Sequence, residues 1–88
     1  MVKMTRDKIR LKILVIIDGQ GLTPKEGGEV TEATRFKEDL DIDSLNSVEI
    51  VMETEDAFDI TIPDGAAEKW RTIKEAIDYV DATLNPPP

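Results

Sequence analysis

Cysteine and histidine are both missing from this 88-residue chain. Without cysteine there is no disulfide, no thiolate metal site and no thiol nucleophile. A chain free of cysteine is compatible with a reducing compartment. The lack of histidine removes the commonest general base near neutral pH. It also rules out a Ser-His-Asp triad, and no Gly-x-Ser-x-Gly turn is present. Enzymatic chemistry would have to rest on carboxylates alone, and the expectation is a protein that is not an enzyme. Aromatic residues make up only 5% of the chain. The longest apolar run is Ile13 to Ile17, far too short to span a bilayer. That run has no small-residue cleavage site after it, so it does not read as a signal peptide. The chain is expected to be soluble, cytoplasmic and not inserted in a membrane.

Basic residues are unevenly scarce. The net charge is −8, yet residues 1–37 hold eight Lys/Arg against five Asp/Glu, and residues 38–88 hold three against fourteen. From Glu38 to Glu68 there are eleven acids and no base. Such a face repels nucleic acid and anionic lipid, and it attracts basic protein surfaces. A plain solvated surface kept for solubility is the alternative. The length allows one domain, taken as residues 1–85, with 86–88 as a proline tail.

Hydrophobic spacing points to helices throughout. Met4 to Ile17 places Ile9, Ile13, Ile16 and Ile17 on one face. Gly19, Gly21, Pro24, Gly27 and Gly28 then break the pattern, which predicts a long loop to about Lys37. A second helix is expected from about Ser44 to Phe58, and a short third one from Asp64 through about Trp70. The fourth opens at Thr72, whose hydroxyl and Glu75 make a capping box. Ile73, Ala76, Ile77, Val80 and Leu84 share a face of that helix, and Asn85 with the prolines ends it. The fold class is therefore all-α, a four-helix bundle with a short third helix and a long loop between the first two.

At about 100° per residue, Ser47, Ile50, Val51, Thr54, Ala57 and Phe58 form an uncharged face of the second helix, expected to meet the core. Leu45, Val48 and Met52 lie opposite, among Glu49, Glu55, Asp56 and Asp59. An apolar strip set among carboxylates is either a docking surface or a second buried face, and periodicity leaves both open.

Asp39-Leu40-Asp41-Ile42-Asp43-Ser44-Leu45 has the acid spacing of a calcium loop. Ser44 and Ile50 stand where an EF-hand needs glycine and a bidentate glutamate, so that reading fails. Any divalent ion near Asp39, Asp41, Asp43 and Asp56 would be held loosely and by oxygen alone. No resident metal is expected. Ser44 at a helix start is a cap, a surface serine or a modification site facing free N–H groups. Asp43 is itself a good cap and would leave Ser44 pointing outward.

Asp43-Ser44-Leu45, followed by Val48-Glu49-Ile50-Val51-Met52, Phe58-Asp59, Ile62-Pro63-Asp64 and Ala67-Glu68-Lys69, resembles the discrete fatty-acid type of acyl carrier protein. Thr72-Ile73 and Ala76-Ile77-Asp78-Tyr79-Val80 are similar too, and the match runs from about Phe36 to Leu84. The resemblance implies that Ser44, flanked by Asp43 and Leu45, receives 4′-phosphopantetheine from coenzyme A through a holo-acyl-carrier synthase. The arm then carries acyl groups as thioesters to fatty-acid or related polyketide enzymes. It further implies that Leu45, Val48, Glu49, Met52, Glu55 and Asp56 meet basic patches on acyltransferases, ketosynthases and other partners of a monomeric carrier. Ile50, Val51, Phe58, Ile62 and Trp70 are expected around the acyl chain. Three departures from the family stand out. Asp41 stands where glycine is usual, Gly65-Ala66 replaces an acidic pair, and Trp70 replaces an aliphatic residue. Carriage of aminoacyl, peptidyl or other specialised cargo, or an unmodified acidic interaction module, are the alternatives.

Overall fold

Thr5, left extended with its hydroxyl accepting the Lys8 N–H, starts the first helix of the computed structural model, which describes residues 4–86. Of the expected proline tail, Pro87 and Pro88 lie outside the described residues. Helix α1 spans Arg6–Gly19, α2 Ser44–Phe58, α3 Asp64–Ala67 and α4 Ile73–Leu84. No strand occurs among the described residues, only one antiparallel bridge between Arg35 and Thr72. The all-α, four-helix reading holds.

Boundaries differ where backbone geometry, not hydrophobic spacing, decides them. Helix α1 continues two residues beyond Ile17, because the chain turns at Gly21 (φ 73°), which bonds back to Asp18 O at 2.9 Å. Glycine populates that region freely. Helix α3 stops at Ala67, short of Trp70. Pro63 offers no side-chain cap, and the chain continues in tight turns, Lys69 N–H to Ala66 O and Trp70 N–H to Ala67 O.

Ile9, Ile13 and Ile17 from α1 meet Ile50 and Phe58 from α2 and Ile73, Ala76, Ile77 and Val80 from α4. Each large side chain so buried contributes roughly 1.5–3 kcal/mol. Thr54 is buried among them, its hydroxyl donating to Ile50 O at 2.7 Å. The buried stripe of α2 is narrower than expected: Ile50, Thr54 and Phe58 are buried, Ser47 and Val51 half-buried, and Ala57 exposed.

The long loop, residues 20–43, is firmly tied. Phe36 N–H donates to Arg71 O, Ile73 N–H to Thr34 O and Lys74 N–H to Glu32 O. The Arg6 guanidinium reaches from α1 to both Glu32 and Asp78. These bonds seat Phe36 and Leu40 in the core.

Candidate functional site

The start of α2 is built by a reciprocal cap. The Asp43 carboxylate accepts Asn46 N–H at 2.7 Å, and Asn46 Oδ1 accepts Asp43 N–H at 3.3 Å. Asp43 thus fills the capping role, as anticipated, and Ser44 is left exposed as the first helical residue. Just upstream, Asp41 N–H returns to Lys37 O and Ile42 N–H to Phe36 O. This fold-back requires a left-handed residue, and Asp41 supplies it at φ 53°. The glycine usual here in the resembled family has its physical reason in that angle.

The outer side of α2 is not a second buried face. Leu45 is 64% exposed, Val48 55% and Met52 57%, and Glu49 and Asp56 stand exposed beside them. Glu55 departs from this group. It is half-buried, and its carboxylate accepts Ile62 N–H at 2.8 Å, so it holds the α2–α3 turn as well as edging the strip.

Beside Ser44 an open groove runs between α2 and the segment around α3. Ser44 and Val48 line it together with Ser47, Ile50, Val51, Ile62 and Trp70. Four of the five expected pocket residues are therefore present. Phe58 is not among them: it lies in the core, 5% exposed, with the Lys12 ammonium 6.0 Å from its ring centre. By spacing Phe58 shares the side of α2 that carries Ser47 and Val51, but it is the last residue of the helix, where that side packs into the core with α1. Trp70 is half-buried, and its neighbour is Tyr79, ring centres 5.6 Å apart and planes inclined at 57°. Phe36, Lys37, Ile42 and Glu68 also line the groove. None belongs to a periodic pattern, and the one sequence signal was an isolated Phe36 in a polar loop.

Two carboxylates just upstream of α2, Asp39 and Asp41, are paired with bases. The Arg35 side chain grips Asp39 through two bonds and holds its carboxyl below the usual range. Lys25 lies 3.6 Å from Asp41. Among the described residues no acidic group of three or more could hold a metal ion. Asp39, Asp41, Asp43 and Asp56, expected to hold a divalent ion loosely, therefore form no such group. Among the described residues no helix is long and apolar enough to cross a membrane.

A family model described as "Phosphopantetheine attachment site" matches residues 20–80. The acyl carrier protein of Rubrobacter xylanophilus is 47% identical over 78 residues, 88% of this chain and 93% of the relative. That of Prochlorococcus marinus is 42% identical over 79 residues, 90% and 96%. That of Chlorobium luteolum is 42% identical over 77 residues, 88% and 96%.

Proposed function

We propose, from the premise that this chain belongs to the acyl carrier protein family, that Ser44 is where its 4′-phosphopantetheine arm is joined. The chain is a carrier of acyl groups for fatty-acid synthesis and not an enzyme. When bound, the arm supplies reach and a terminal thiol that holds the acyl group as a thioester. The residues present suit it. The Ser44 hydroxyl is exposed and relieved of capping by Asp43, and the α2 N-terminus tolerates the negative phosphodiester. Val51, Ile62 and Trp70 offer an apolar wall in the same groove. The chain's other serine, Ser47, is half-buried one turn further on.

The exposed strip of Leu45, Val48 and Met52 among Glu49 and Asp56 is the face that partners read: a holo-acyl-carrier synthase first, then acyltransferases, ketosynthases and other enzymes with basic docking patches. Charge complementarity there governs association rate more than final affinity. The carrier works as a cytoplasmic monomer. The observation supporting this most directly is an uncapped, exposed Ser44 next to both the strip and the groove. Incubation with coenzyme A and a phosphopantetheinyl transferase, read by intact-mass spectrometry, tests it. Wild type and Ser47→Ala should gain the arm, and Ser44→Ala should fold and gain none. Labelling of Ser44→Ala would overturn the assignment.

A further inference from the structure

The groove beside Ser44 is lined by the carboxylates Asp43, Glu55 and Glu68 and by a single cation, Lys37. Lys37 is also the last base before the acidic stretch from Glu38 to Glu68. Arg6, Lys25, Arg35 and Lys74 are each engaged in ion pairs, and among the described residues Lys37 is in none. Its backbone is fixed, since Lys37 O accepts Asp41 N–H at 3.1 Å and Phe36 beside it is buried. The exposed side chain starts from that fixed backbone and lines the same groove as Ser44.

We infer that the Lys37 ammonium pairs with the phosphodiester joining the arm to Ser44, and so sets the direction in which the arm leaves the protein. This rests on Ser44 being the attachment point. A phosphodiester there has Asp43 as its neighbour in a groove that also carries Glu55 and Glu68, and the cap has already placed the Asp43 carboxylate on Asn46 N–H, answering part of the positive end of the helix dipole. Lys37 is the remaining attraction along the groove. Anchoring the phosphate toward Lys37 starts the arm along the wall formed by Val51, Ile62 and Trp70, not outward into solvent. Lys37 acts as a positioning residue. Because the pair is exposed, salt screens it, and a compact ammonium can be replaced by guanidinium with the charge retained.

The test uses holo protein carrying an arm with ¹³C-labelled geminal methyl groups, in wild type, Lys37→Gln, Lys37→Arg and, as a control, Lys25→Gln. Wild type should show nuclear Overhauser contacts from the Lys37 ε-methylene to those methyls, and a ³¹P resonance that moves as NaCl is added. Lys37→Gln should lose the salt response and show a more mobile arm, whereas Lys37→Arg and Lys25→Gln should keep wild-type behaviour. A Lys37→Gln protein whose ³¹P shift, salt response and arm mobility equal those of wild type overturns the inference while leaving Ser44 as the attachment point. Absence of any arm on wild type, seen by mass, overturns both.

Discussion

The Glu55 carboxylate accepts the backbone N–H of Ile62 at 2.8 Å, across the turn that leaves α2. Asp59 makes that turn in the left-handed region, at φ 52°, and Ile60 N–H returns to Glu55 O at 3.1 Å. Glu55 therefore seats Ile62, which is buried, whereas Glu49 and Asp56 on the same helix are exposed. Removing the acceptor strands a partly buried N–H, a loss of about 1 kcal/mol. Glu55→Ala should lower the melting temperature by roughly 4–8 °C. Glu49→Lys should leave it within a degree or so and instead slow arm transfer by the holo-synthase, with the defect changing as salt is added. Thermal melts and transfer rates separate the two. Equal melting losses would place Glu49 in the structure and remove it from the docking face.

Asp41 holds φ 53° with a β-carbon present, just before the attachment helix. A left-handed non-glycine residue carries strain of order 1 kcal/mol, and aspartate tolerates it better than most. Against this stands an exposed contact with Lys25 at 3.6 Å, which contributes little in water. Asp41→Gly should be as stable as wild type or more so by up to about 1 kcal/mol. Asp41→Ala should be the least stable of the three, since it keeps the strain and loses the side-chain oxygen. Urea unfolding ranks them. An alanine variant matching the glycine variant would show that the backbone angle is not the cause.

The clamp between the loop and α4 should be sensitive to acid. Asp78 is held below its usual value of 3.8, first by its hydrogen bond to Lys74 and then by Arg6. A carboxyl depressed in the folded state stabilises the fold above its unfolded value and loses that contribution as pH falls through the folded one. The stability gap between wild type and Asp78→Asn should be constant near neutral pH and close progressively below pH 3.8. Since Arg6 also binds Glu32, amide exchange at Lys74, bonded to Glu32 O, should quicken in the variant. A gap that widens on acidification would reverse the sign of the argument.

Legibility in the sequence follows the kind of contact involved. Helices α2 and α4 are readable because Ile50, Thr54 and Phe58, and Ile73, Ile77 and Val80, recur at helical spacing behind Asp43 and Thr72 as caps. Ser44 with its strip of Leu45, Val48 and Met52 is readable for the same local reason. The loop is not. Phe36 acquires its place through its bond to the distant Arg71, and Leu40 and Lys37 through fold-back bonds to Arg35 and Asp41 within the loop, none of which leaves a periodic trace. Glu55 looks like its exposed neighbours until the left-handed turn at Asp59 brings Ile62 back to it. Phe58 is a core residue by spacing, and only its assignment to the pocket, inherited from resemblance, needed correction.

Trp70 is expected to sense the cargo. Its half-buried indole lines the groove on one side and packs against Tyr79 on the other, ring centres 5.6 Å apart. A tilted aromatic pair of this kind contributes roughly 0.5–1.5 kcal/mol, so the ring is held in place and does not swing freely over the surface. It stands where the resembled family has a smaller aliphatic side chain, and it lines the groove together with Val51 and Ile62. An acyl chain entering the groove must displace water from the indole or push the ring toward Tyr79. Trp70 emission should therefore shift to shorter wavelength between the holo protein and forms loaded with progressively longer chains, and the shift should level off once the groove is full. Trp70→Ile should lose about 1 kcal/mol of stability with the aromatic contact. In exchange it should shelter longer chains, read as slower hydrolysis of their thioesters than in wild type. Tyr79→Leu separates the two roles, because it removes the backing while leaving the indole to line the wall. Emission that ignores the acyl group, together with unchanged thioester hydrolysis in Trp70→Ile, would show that chains do not enter past Trp70.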